Sequence, residues 1–356
     1  MGAIPHDPSP LRNTKYLPNH RRYFKHSRSS NKMTEPDIQS RITGSLLGLA
    51  LGDALGAPYE GSWAEQLLWR ALGRTRDGRI RFTDDTQMSI DLLESLLACG
   101  SWCPDDAAAR FAHSYRWNRG YGPGAAKVLK RIRAGVPWQE ARLHVFPQGS
   151  WGNGGAMRAP VMALWAGQLG CPSAVTLARE QAAITHAHEL AQDGAALVAA
   201  AVHLALFIEV RSFKPSGWPQ QVAEQAQLHS RATWHQRLRQ ATSWLDGSQD
   251  PPDAKVVARV LGNGIVAIDS CVSALYVAAR FMTQDFDAML RYIQQMQGDV
   301  DTIAAMAASI YGAARGITAL PAQHLQGLEG EAALRKLAKQ LSDQTQFPTF
   351  NARQSI

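Results

Sequence analysis

The chain has 356 residues, 45% of them hydrophobic, enough to bury a sizeable core in one large domain or two smaller ones. Its net charge of +7 is concentrated at one end: residues 1–33 carry seven Lys and Arg against the single acid Asp7, so the body is nearly neutral and offers no basic surface for nucleic acid. Four scattered cysteines make neither a zinc pattern nor a disulfide framework, and no apolar run reaches the roughly 20 residues of a membrane span, so a reducing, cytoplasmic location with no membrane partner is expected.

In chain order, residues 1–37 are rich in Pro, Ser, Asn, His and Arg and poor in aliphatics. Such a segment cannot bury enough apolar surface to fold alone, and it is expected to be a basic, disordered arm. Tyr16, Tyr23 and Phe24 among its charges suit folding against a partner. The pattern changes at Ile38. Ile42–Gly61 predicts a close-packed, Gly- and Ala-rich helix ending in a turn, and Asp85–Leu97 repeats apolar residues at helical spacing. The same spacing predicts helices over 107–113, 125–133, 157–169, 174–184, 190–209, 220–245, 256–260, 265–282, 286–297 and 302–320. Alanine, the best helix former, is abundant, and no period-two strand interrupts the series. The expectation for 38–356 is therefore an all-α, compact, many-helix orthogonal bundle. Loops fall at 120–124, 149–155 and 262–264, and a turn at 246–252.

Two carboxylate motifs open helices: Thr83-Asp84-Asp85-Thr86 and Asp299-Val300-Asp301-Thr302. Either alone is explained by capping, since Thr and Asp satisfy free amides and acids oppose the helix dipole. Together they hold more acid than capping needs. If the two helix starts converge, their oxygens form a cluster whose mutual repulsion a divalent cation would relieve. Oxygen donors without His or Cys select Mg²⁺ or Mn²⁺, and two clusters suffice for two ions. A third element, Gly149-Ser150-Trp151-Gly152-Asn153-Gly154-Gly155-Ala156-Met157-Arg158, is a glycine-rich loop entering a helix, which suits a phosphate. It is neither a Walker loop nor a dinucleotide fingerprint.

These motifs resemble, in order, those of the ADP-ribosylglycohydrolases, the family that includes the dinitrogenase-reductase-activating glycohydrolase. The resemblance runs through GDALGAPYE (Gly52 to Glu60), FTDDTQM (Phe82 to Met88), RGYGPG (Arg119 to Gly124), GNGGAMR (Gly152 to Arg158), THAH (Thr185 to His188) and GDVDTIAAMAASIYGA (Gly298 to Ala313), roughly residues 38–320. It implies that 38–356 is an ADP-ribosyl hydrolase domain. It implies a metal site of Thr83, Asp84, Asp85, Asp299, Asp301 and Thr302, with Asp301 bridging two Mg²⁺ or Mn²⁺ ions. Glu60, Asp84 and Asp301 are the implied catalytic residues. Gly122, Ser150, Gly152, Asn153, Gly154, Gly155, Met157, Arg158 and His186 are the implied ADP-ribose contacts, with His188 an ordinary packed imidazole and Trp151 either a stacking or a packing residue. The implied substrate is a protein ADP-ribosylated on arginine, with serine as the second choice. For the arm, residues 1–37, several readings stay open: a floppy tail, a true start at Met33, an Arg-rich transit peptide, or a segment that binds and blocks an ADP-ribosyltransferase toxin and makes the chain an immunity protein. A binding-only ADP-ribose module that plugs a partner enzyme is the remaining alternative.

Overall fold

The computed structural model describes residues 35–345, apart from 62 and 248. Among them are seventeen α-helices: α1 (Ile38–Gly56), α2 (Trp63–Leu72), α3 (Asp84–Cys99), α4 (Pro104–Ser114), α5 (Pro123–Arg133), α6 (Trp138–Val145), α7 (Ala159–Ala166), α8 (Cys171–Ala183), α9 (Glu189–Ala205), α10 (Trp218–Ala226), α11 (Arg231–Leu245), α12 (Ala254–Val260), α13 (Ala267–Phe281), α14 (Phe286–Met296), α15 (Val300–Arg315), α16 (Ala322–Gln326) and α17 (Glu331–Gln344). Extended pairing among the described residues is limited to isolated bridges, such as Gly152 with Val266. The all-α expectation holds.

The centre of the bundle is the contact between α1 and α15. Asp37 starts α1 by accepting from the Ser40 amide, and Arg41 pairs with Glu35 at 3.1 Å. The rest of the expected arm, 1–34, lies outside the described residues. In α1, Gly44, Gly48, Gly52 and Gly56 recur every fourth residue and line one stripe. A Cβ on any of them would fall 2.3–2.6 Å from the backbone of α15 or the residue after it. Glycine weakens a helix by about 1 kcal/mol. Here it lets two backbones touch. Helix α15 is buried from Val300 to Ala314, and its face toward α1 is mostly alanine, with Ser309 bonded to Ser45 at 2.8 Å. Both acidic motifs hang on this contact, because α1 carries Asp53 and α15 begins at the second motif.

The helix expected over 220–245 is two helices. Gln227 turns left-handed (φ 49°) between α10 and α11. The break is held from outside the segment: buried Asp193 accepts from the amides of His229 and Ser230, and Arg179 donates to the carbonyls of Ala226 and Gln227. Helices α2, α6, α16 and α17 were not expected; α17, for example, buries only Leu334, Ala338 and Leu341. The expected 302–320 helix stops at Gly316, whose φ of 71° ends α15.

Candidate functional site

Asp53 organises the first motif. It is fully buried in α1 and accepts from the Thr83 amide at 2.9 Å, the Thr86 amide at 3.0 Å and the Thr86 hydroxyl. Burial raises its carboxyl to about 6 even against those hydrogen bonds. Thr83 in turn caps α3 by accepting from the Asp85 amide. Sequence reasoning did not select Asp53. The signal was present, because one carboxylate inside an otherwise apolar Gly/Ala helix needs partners once buried.

The start of α15 faces this group. Thr302 Oγ1 lies 3.4 Å from Asp85 Oδ1, and Asp301 Oδ1 accepts from the Thr302 amide at 2.8 Å. Asn153 Nδ2 donates to Asp299 and to Ser270, joining the glycine loop to the second motif. After α1 the chain turns through 57–59, and the Gly61 amide donates to Gly298 O at 3.3 Å, which brings Glu60 alongside. Glu60, Asp299 and Asp301 then present oxygens within 4.8 Å of one another. Burial first, and neighbouring acids second, hold Asp84, Asp85 and Asp301 well above the usual carboxylate range. Asp299 is also raised by burial, with the Asn153 hydrogen bond opposing.

These residues fit a hard divalent cation. The donors are all oxygens. Asp85 Oδ2 is buried with no hydrogen-bond partner among the described residues, an expensive arrangement for a carboxylate unless a cation completes it.

A cavity of about 500 Å³ opens over the cluster. It is lined by Glu60, Asp84, Asp85, Asp299, Asp301 and Thr302 on one side, and by Gly122, Ser150, Gly152, Asn153, Gly154, Met157, Arg158 and His186 on the other. The structure therefore brings together every expected site residue except two. Thr83 sits behind the lining as a cap, and Gly155 packs on Ala182, where a Cβ would lie 2.5 Å from the alanine methyl. Lys127 and Phe146 also line the cavity and were not expected, because nothing in their local sequence distinguishes them from surface and core positions.

The glycine loop is held from within. Its amides at Gly152, Asn153, Ala156 and Met157 already bond inside the protein. Arg158, completely buried, gives its guanidinium to Gly154 O, Gln181 O and Thr185 Oγ1 and stacks over Phe111. Burial lowers it to about 9, with Asp84 and Asp85 opposing. Thr185, receiving that donor, also shares a hydrogen bond of 2.7 Å with His186 Nδ1, which holds the orientation of the ring. Burial and Arg158 push His186 down to about 3, so the ring is neutral. It fills the space that the missing side chains of Gly152 and Gly154 leave, 3.0 and 2.5 Å from where their Cβ atoms would be. His188 caps α9 and packs on half-exposed Trp151 (ring centroids 4.5 Å apart).

Two buried acidic helix starts, a neutral histidine and a glycine loop thus share one cavity. The ADP-ribosylglycohydrolase family model matches residues 34–349. This chain belongs to the ADP-ribosylglycohydrolase family. It is 34% identical over 340 residues to ADP-ribosylhydrolase ARH3 of Mus musculus, covering 85% of this chain and 91% of the relative. It is 28% identical over 310 residues to ADP-ribosyl-[dinitrogen reductase] glycohydrolase of Rhodospirillum rubrum, covering 83% and 93%. A solved structure described as an ADP-ribosylglycohydrolase-related protein complex is 25% identical, with a TM-score of 0.59 over 87% of this chain and 99% of that chain. The helical bundle is thus the fold of the family, and the family is one of hydrolases acting on ADP-ribosylated substrates. No helix among the described residues is long and apolar enough to cross a membrane.

Proposed function

We propose that this chain hydrolyses the glycosidic bond between the distal ribose of ADP-ribose and a modified protein side chain, with two Mg²⁺ or Mn²⁺ ions held by Thr83, Asp84, Asp85, Asp299, Asp301 and Thr302. The observation that carries the reading is the convergence of Glu60, Asp299 and Asp301 within 4.8 Å at the floor of the cavity. When bound, the cations neutralise the cluster and acidify water at the site. The protein's own residues do the rest. Asp53 and Asn153 hold the two acidic motifs in register. Glu60 or Asp84 takes the proton of the attacking water, since both carboxylates line the cavity. The loop 149–155, braced by Arg158 and His186, lies where it can position the diphosphate. With all these ligand positions filled, an enzyme is favoured over a binding-only module.

Arginine was the expected acceptor through the likeness to the dinitrogen-reductase type. The higher identity to the ADP-ribosylhydrolases, 34% against 28%, gives serine equal place. We also propose, from its charge and aromatics alone, that the arm 1–37 blocks an ADP-ribosyltransferase toxin. One experiment covers these proposals. Free ADP-ribose is measured from arginine- and serine-modified proteins with Mg²⁺ and with EDTA, and the rate of an ADP-ribosyltransferase toxin is measured beside it, using the full chain, the chain lacking 1–33, and Asp301→Asn. Metal-dependent release by the first two and none by Asp301→Asn is expected, with toxin inhibition confined to the full chain. Release by Asp301→Asn or in EDTA overturns the metal reading. Equal inhibition by the shortened chain overturns the arm reading.

A further inference from the structure

A second cavity, about 510 Å³, lies on the other side of the turn 57–59 and shares no lining residue with the cleft. Its volume is that of a small-molecule site. Leu55 and Leu290 give it an apolar wall, and the rings of Tyr59 and Trp69 also line it. Two unsatisfied polar atoms belong to lining residues. Trp69 Nε1 is a buried donor, and Asp287 Oδ1 a buried acceptor, each without a hydrogen-bond partner among the described residues. The indole nitrogen sits beside Gly73, which also lines the cavity; a Cβ there would be only 2.8 Å from it. Asp287 Oδ1 has His324 Nε2 3.5 Å away, in ion-pair range only when the imidazole is protonated.

The charges are those of an anion site. Arg74 and Arg291 line the cavity with His324, against the single acid Asp287. Arg74 spends one nitrogen on Gly78 O at 2.8 Å, and Arg291 makes no hydrogen bond or ion pair among the described residues. Two guanidiniums can hold phosphate oxygens, and two aromatic side chains in one apolar-walled cavity suit the faces of a heteroaromatic ring.

From this arrangement we propose that the cavity binds a nucleoside diphosphate, its ring between Tyr59 and Trp69 and its phosphates on Arg74 and Arg291. The claim does not depend on the hydrolase reading. The test is the indole N–H resonance of Trp69 in the full chain, assigned with Trp69→Phe, during titration with ADP. The expected result is a saturable shift of that resonance, weakened about ten-fold or more by Arg291→Glu, whose exposed position spares the fold. The Trp151 resonance at the cleft reports ADP there separately. A Trp69 resonance that stays still while Trp151 responds, no response from either, or wild-type affinity in Arg291→Glu would each overturn the proposal.

Discussion

Replacing Gly52 by alanine tests what sets the spacing of the site. The new Cβ would lie 2.3 Å from Ala304 O, 2.6 Å from Ala304 C and 2.9 Å from the Ala308 methyl. Carbon contacts are comfortable at about 3.5 Å, so the helices must part by roughly 1 Å. The nearest obstacles are backbone atoms of fully buried α15, which no rotamer change can move aside. Overpacking of this kind costs about 1–3 kcal/mol, offset by about 1 kcal/mol of helix propensity. The expected net loss is up to about 2 kcal/mol, seen as a fall of up to roughly 5 °C in the melting temperature. Gly52 adjoins Asp53, and Gly56 touches Asp301, so the same displacement separates the two acidic motifs. A misplacement of about 1 Å can cost on the order of 100-fold in turnover. The measurements are urea and thermal unfolding of the metal-free protein, followed by ADP-ribose release with Mg²⁺. Gly122→Ala is the stability control, since nothing lies within 4 Å of its Cβ and its φ is negative. A Gly52→Ala protein as stable and active as wild type would refute the argument, because the helices would then be relaxing without cost.

Asp85→Asn should raise the stability of the metal-free protein by about 1–3 kcal/mol, since it removes one charge from a buried cluster of like charges. It should also abolish the rise in melting temperature that Mg²⁺ gives wild type. Lower metal-free stability than wild type would show that the cluster is not under repulsion. Asp91 gives a pH prediction away from the cluster. Burial pushes it up to about 6, with hydrogen bonds from Ser114 and Gln87 opposing. The folded state therefore keeps a proton that the unfolded chain releases near pH 4. The stability this group contributes is complete below pH 4 and is lost as pH rises through 6, with a slope of at most about 1.4 kcal/mol per pH unit. Asp91→Asn lacks that slope, so the difference in unfolding free energy between the two proteins should change across pH 4–6. A difference that stays constant from pH 4 to 7 would contradict the assignment.

Most of the helices were legible in the chain itself. Apolar spacing, alanine content and the Thr83-Asp84 helix start are local properties, whereas the Asp37 cap and the stop at Gly316 were not expected. The two acidic motifs and the glycine loop were legible for the same reason, since each is a short run of unusual composition. Their convergence was not. It depends on α1 and α15 meeting along glycines 44, 48, 52 and 56, and a glycine's value lies in the backbone it allows to approach. The role of Asp53 and the break at Gln227 were hidden likewise. Asp53 matters through the amides of residues thirty and more positions away, and Gln227 turns because Asp193 and Arg179 hold the chain on either side of it. Even Arg158 and His186, which the motifs single out, take their geometry from partners: Gln181 and Thr185 fix the guanidinium, and Thr185 holds the imidazole through Nδ1. Sequence alone determined the all-α class, most of the helical segments and the unusual acidic and glycine-rich runs. Tertiary structure alone decided which of those residues face one another, because burial, charge repulsion and close backbone contact arise between segments distant in the chain.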